Sequence, residues 1–147
     1  MRVLGLDLGA RRIGLAISDE EGRIAFPAGH LERTAPKRDL AALAALIAER
    51  RVGRAVVGLP LHLDGRAGPE AEAARAFART LAKRAGIPVD TLDERWTSVA
   101  AQRSLREAGR GVARRRGKGV VDAVAATLLL STYLDRLHSR TERESAG

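Results

Sequence analysis

The chain predicts an α/β fold: one five-stranded mixed sheet with helices on both faces. Three observations carry that reading. The first third of the sequence alternates short apolar runs with tight turns, the pattern of antiparallel strands joined by hairpins. Two later apolar runs, at residues 55–59 and 87–92, are separated by a stretch of helical periodicity. Strand–helix–strand connections within one sheet are right-handed crossovers, so these two strands lie parallel to each other and to the first. The whole is 147 residues with 45% hydrophobic side chains, the size and composition of a single folded domain. We place that domain at residues 1–138 and expect a flexible polar tail over residues 139–147.

Taken in order, the first strand covers residues 3–8, Val3-Leu4-Gly5-Leu6-Asp7-Leu8. Gly9-Ala10-Arg11-Arg12 makes the turn, and Ile13-Gly14-Leu15-Ala16-Ile17-Ser18 returns antiparallel to it. Glu20-Glu21-Gly22 turns again, and Ile24-Ala25-Phe26 opens a third strand. Pro36 stands at a plausible helix entry, and Leu40, Leu43, Ala44 and Ile47 recur at helical spacing as far as Arg51. The buried strand Ala55-Val56-Val57-Gly58-Leu59 is closed by Pro60. A loop over residues 61–68 holds His62 and Asp64-Gly65. The second helix, residues 69–85, turns Ala74, Phe77, Ala78 and Leu81 to one face and stops at Gly86. After the strand at 87–92, Asp93-Glu94-Arg95-Trp96-Thr97-Ser98 leads into a third helix with Thr97 or Ser98 as its N-cap. Residues 109–118 are glycine-rich and basic. The last helix, residues 119–137, is apolar around most of its girth and is expected to be buried.

Composition excludes several classes. Without cysteine there is no disulfide framework, thiolate nucleophile or cysteine-ligated zinc. No apolar run approaches the roughly 18 residues of a membrane span. Met1-Arg2 leads straight into a strand and not into a secretory signal, so a cytoplasmic protein is expected. Lys and Arg total 26 against 18 Asp and Glu, a net charge of +8, with a pI near 11.2. Such a balance favours polyanions, above all nucleic acid. Aromatic residues are only 3% of the chain, which argues for recognition of backbone and shape in place of base stacking on an aromatic platform.

Against that basic background the acids that converge are informative. Asp7 interrupts an apolar strand, and burying a carboxylate costs several kcal/mol unless a partner or cation compensates. Parallel strands end on one edge of the sheet, outside which ligands bind. Asp7 lies at such an end, Glu94 follows the strand at 87–92, and Asp122 sits in the first turn of the final helix. Three carboxylates from distant parts of the chain are thus expected together, as catalytic residues and metal ligands. Hard divalent cations such as Mg²⁺ or Mn²⁺ take oxygen ligands. Two of them about 4 Å apart would activate water and stabilise the leaving oxygen in phosphodiester cleavage. Arg11 and Arg12 beside Asp7, and Arg95 beside Glu94, are placed to fork phosphates. Arg114, Arg115, Arg116 and Lys118 in the basic stretch are expected on a nucleic-acid backbone.

The opening run, Gly5-Leu6-Asp7-Leu8-Gly9-Ala10-Arg11-Arg12-Ile13-Gly14-Leu15-Ala16-Ile17-Ser18-Asp19, resembles the signature of the YqgF/RuvX family. Three more blocks agree in order. They are Val56-Val57-Gly58-Leu59-Pro60-Leu61 with Asp64-Gly65, then Asp93-Glu94-Arg95-Trp96-Thr97-Ser98, then Lys118 with Asp122, Ala125 and Ala126. The resemblance implies an RNase H-like fold and a metal-dependent nuclease. Its substrates would be branched DNA such as Holliday junctions or, in bacteria, the 5′ end of pre-16S ribosomal RNA. By position, Asp7, Glu94 and Asp122 match the family's acidic triad. Trp96 and the pair Leu130-Ser131 depart from the usual pattern without touching the acids. Junction resolution would call for a homodimer, because it needs two coordinated cuts. Two other readings stay open from the residues alone: a non-catalytic module binding RNA or DNA, and a nucleotide-binding lobe of actin or sugar-kinase type.

Overall fold

The computed structural model describes residues 1–97 and 118–146, with the side chains of Trp96 and residues 118–122 outside that description. The chain runs β1 (Arg2–Leu8), β2 (Arg12–Ser18), β3 (Ala25–Glu32), α1 (Pro36–Glu49), β4 (Val52–Leu59), α2 (Pro69–Ala85) and β5 (Val89–Asp93). A 3₁₀ turn (Glu94–Trp96) and a long α3 (Lys118–Ala146) follow. The five strands form one sheet in the order β3-β2-β1-β4-β5. β1 pairs antiparallel with β2, from Leu4↔Ile17 to Leu8↔Ile13, and β2 pairs antiparallel with β3. β4 runs parallel to β1 and β5 parallel to β4. This is the mixed sheet that the hairpins and crossovers predict.

Side chains alternate across a strand, and the two sets meet different helices. Leu4 and Leu6 of β1, Ile13 and Leu15 of β2, and Ala55, Val57 and Leu59 of β4 pack on α1 and α2, with Leu43 and Leu81 at the centre of that layer. Val3, Ala16, Val56 and Leu92 pack on α3 through Ala126, Leu129, Leu130 and Tyr133. The α3 backbone comes unusually close to β1, because a Cβ at Gly5 would stand 2.8 Å from that of Leu130 and 3.1 Å from the Ala126 carbonyl oxygen. Farther along, His138 Nε2 donates to the Gly22 carbonyl at 2.9 Å, in the turn after β2. So α3 runs antiparallel to β1, and its first turns lie toward the carboxyl edge of that strand.

Element boundaries depart from the periodicity in instructive places. α1 begins at Pro36, the expected entry, and ends at Glu49, two residues short of Arg51; Asp39 secures its start. The Asp39 carboxylate is buried and accepts from the Thr34 backbone N–H at 3.0 Å, which ties the first turn of α1 to the chain just ahead of Ala35, a cap residue that makes no side-chain cap of its own. β5 includes Asp93, and the turn after it is capped by Asp93, whose Oδ1 accepts from Arg95 N. Thr97 closes that turn, its hydroxyl donating to the Glu94 carbonyl at 2.9 Å. The helix expected beyond Ser98 lies outside the described residues. α3 continues past Leu137 to Ala146, where its side chains are exposed.

Candidate active site

Parity along the strands decides which acids meet. Asp7 shares its side of β1 with Val3 and Gly5, the α3 side, and is 1% exposed. The β1–β4 register ends at Leu6↔Val57, so the next step sets Asp7 beside Gly58. Gly58 is on the same face as Val56. Glu94 leaves the end of β5 on the parity of Asp90 and Leu92, and folds back over β4. A Cβ at Gly58 would collide with Glu94 Oε1 and would lie 3.2 Å from its Cγ and Cδ. The missing side chain of Gly58 is therefore the space that the Glu94 carboxylate fills, which leaves it 3% exposed. A glycine at a strand end often admits the close approach of another backbone or a ligand; here the structure gives that room to Glu94. Two buried carboxylates from β1 and the end of β5 thus share one face at the carboxyl edge.

The turn that carries Asp7 into β2 is held from outside. Gly9 N–H donates to the Arg12 carbonyl at 2.8 Å. Arg33, in the link between β3 and α1, donates through Nη1 to the Gly9 carbonyl at 2.7 Å and through its backbone N–H to the Arg11 carbonyl at 2.8 Å. Its Nε faces Asp39 Oδ2 at 3.9 Å. The buried Asp39 thereby orients a guanidinium that fixes the turn two residues beyond Asp7. Sequence reasoning does not find this support. A carboxylate in the first turn of α1 is a visible signal for helix entry, but nothing local announces its partner.

Among the predicted phosphate-binding arginines, Arg11 is exposed at the tip of the turn. Arg12 donates through Nε to Glu32 Oε1 at 2.8 Å, and that hydrogen bond holds the Glu32 carboxyl below its ordinary range. Arg95 does not stand open beside Glu94. Its Nη2 lies 2.7 Å and its Nε 3.0 Å from Asp93 Oδ2, a pairing that raises the guanidinium above its usual value. Its Nη1 reaches across to the Leu63 carbonyl at 3.2 Å. Asp93, next to Glu94 in sequence but of opposite parity, is the partner that the sequence reading leaves out. Arg114, Arg115 and Arg116 lie outside the described residues. The backbone of Lys118 opens α3 and that of Asp122 lies one turn before Ala126; their side chains are outside the description. Among the described residues no set of three His, Asp or Glu side chains forms a metal-binding group.

Solved structures of Holliday junction resolvases share this architecture. Thermus thermophilus RuvC in complex with a Holliday junction substrate superposes with a TM-score of 0.58 at 18% identity, over 94% of this chain and 96% of that one. The fowlpox virus Holliday junction resolvase superposes at 0.54 with 12% identity, over 93% and 99%. The fold is that of the RNase H-like resolvases. The chain belongs to the RuvX family of Holliday junction resolvases, whose model matches residues 1–136. A Myxococcus xanthus protein named "Putative pre-16S rRNA nuclease" is 49% identical over 135 residues, covering 92% of this chain and 88% of the relative. A Moorella thermoacetica protein of the same name is 49% identical over 137 residues, covering 93% and 96%.

Proposed function

We propose that this protein hydrolyses phosphodiester bonds of structured RNA, with the 5′ end of pre-16S ribosomal RNA as substrate, using Asp7, Glu94 and Asp122 to hold two Mg²⁺ or Mn²⁺ ions. The observation that carries the reading is Glu94 lying in the space over Gly58, on the strand and face next to Asp7. The donor set fits a hard cation, since both side chains offer only carboxylate oxygens and both are withdrawn from bulk water. Bound there, such ions supply charge neutralisation at the phosphate and acidify a water. The course of α3 toward the carboxyl edge of β1 supports Asp122 as the third acid.

The chain's own groups do the rest. Asp7 and Glu94 are fixed by the sheet, so their oxygens need no reorganisation when the phosphate arrives. Arg11 from the β1–β2 turn, together with Arg114, Arg115, Arg116 and Lys118, binds flanking phosphates. Arg12 and Arg95, paired with Glu32 and Asp93, contribute by shaping the edge that the strand crosses. No helix among the described residues is long and apolar enough to cross a membrane, and we read the setting as the cytoplasm.

The test is a cleavage assay in Mg²⁺ and then Mn²⁺, offering labelled precursor ribosomal RNA, single-stranded RNA and a four-way DNA junction. Asp7→Asn is expected to abolish cutting while its thermal midpoint stays at or above that of the wild type. Preference for the precursor RNA supports the substrate assigned here. Preference for the junction moves it to branched DNA and calls for a dimer, to be checked by sedimentation. Tight binding of all three without cleavage would replace the nuclease with a binding module.

A further inference from the structure

The loop after β4 presents one large apolar side chain wholly to solvent. Leu63 is 95% exposed, against 62% for Met1, the next of the large hydrophobic residues among those described. A lone exposed leucine is ordinary on a protein surface. What distinguishes this one is how its backbone is held and where. His62 N–H donates to the Arg66 carbonyl at 3.0 Å and Gly65 N–H to the His62 carbonyl at 2.8 Å. Arg66 N–H donates to Asp64 Oδ1 at 2.9 Å. Gly65 adopts φ +89, a left-handed conformation that excludes most other residues, and it packs under the Arg95 guanidinium. Arg95 Nη1 donates to the Leu63 carbonyl itself, while Asp93 grips the same guanidinium. Arg95 directly follows Glu94. An ordered turn therefore fixes the backbone of a bare leucine and ties it, through the Arg95 guanidinium, to the residue that follows the candidate acid.

We propose that Leu63 packs against an unstacked nucleobase of the bound strand as that strand crosses the carboxyl edge of the sheet. Arginines at this edge can neutralise phosphates, but they leave the base faces without an apolar surface. Single strands and loops offer unstacked bases to protein side chains, and leucine is among the residues that wedge between base steps. The Asp93–Arg95 pair then acts as a positioning device, fixing the leucine relative to Glu94. This inference rests on the proposed nuclease reading for the direction in which the strand crosses.

The experiment places 2-aminopurine at successive positions around the cut site, in an RNA strand and separately in a DNA junction. Fluorescence is read on binding by the Asp7→Asn protein in Mg²⁺, with saturation followed by anisotropy. A rise at one or two adjacent positions is expected, lost in Asp7→Asn/Leu63→Ser and restored in Asp7→Asn/Leu63→Met. In the cutting background Leu63→Ser is expected to raise KM about tenfold, the scale of an apolar side chain losing its cover, with kcat little changed. The thermal midpoint of Leu63→Ser serves as the folding control, because a side chain this exposed supports no core. The arm that responds, RNA or DNA, identifies the source of the base. An equal rise in the serine variant, or no rise at any position on saturated protein, overturns the proposal while the nuclease reading stands. Failure of wild type to cut any substrate overturns the nuclease reading alone, if a Leu63-dependent rise persists on the bound strand.

Discussion

Gly58 is where one missing carbon matters most. An alanine there would meet Oε1, Cδ and Cγ of Glu94, so Gly58→Ala is expected to push that carboxylate off β4. A displacement of about 1 Å in a reacting group can cost about a hundredfold in rate. We expect cleavage to fall tenfold to a hundredfold in single-turnover assays, while circular dichroism reports an intact sheet. Wild-type rates in Gly58→Ala would mean that Glu94 takes no part. Asp7 is legible in the sequence because a charge in an apolar strand is conspicuous. Choosing Glu94 over Asp93 is less so. They are adjacent, both follow an apolar run, and a strand end read from periodicity is uncertain by a residue or two. Parity in the folded sheet separates them: Glu94 lies over Gly58, and Asp93 faces Arg95.

α3 is the element that must be held in register if Asp122 is to reach the edge. Besides its apolar contacts it carries a polar anchor at the far end of the sheet. The Tyr133 hydroxyl donates to Asp90 Oδ2, and Arg54 Nη1 bridges from β4 at 3.0 Å to the same oxygen and 3.5 Å to the hydroxyl. Burial first, then the bond to Asp90, pushes the Tyr133 phenol from 10.0 up to about 12. Between these values the unfolded chain loses the phenolic proton while the folded chain keeps it. Stability from this group is therefore complete below pH 10 and declines as pH rises through the window. The chain has a single tyrosine, so tyrosinate absorbance titrates it alone. A midpoint near 10 would contradict the anchor. Tyr133→Phe should cost about 1 kcal/mol at neutral pH and abolish its share of the alkaline loss. The long apolar helix was visible in the sequence, whereas Arg54, Asp90 and Tyr133 are scattered over three elements and carry no shared pattern.

For the whole molecule, the +8 charge is expected to govern affinity through release of condensed counterions. Replacing Arg114, Arg115 and Arg116 together by alanine should lower the slope of log K against log salt by about 2 to 3, from roughly 0.7 to 0.9 per phosphate contact. Isothermal binding at several salt concentrations measures this directly. An unchanged slope would leave these arginines to solvent. The cleavage rate at saturating substrate should stay near wild type, because these residues position and do not react.

Periodicity, turn chemistry and the handedness of crossovers are local or topological properties, so the order of strands and the identity of the layers follow from the chain as written. The same logic brings Asp7, Glu94 and the first turns of α3 to one sheet edge. The partners are another matter. Whether Arg95 meets phosphate or Asp93, whether Gly58 makes room for substrate or for Glu94, and how Arg33 and Asp39 brace the Gly9 turn depend on distances between side chains far apart in sequence. These contacts have no period and no fixed spacing. They arise when sheet twist and helix packing bring particular atoms within about 3 Å, the range over which a hydrogen bond acts.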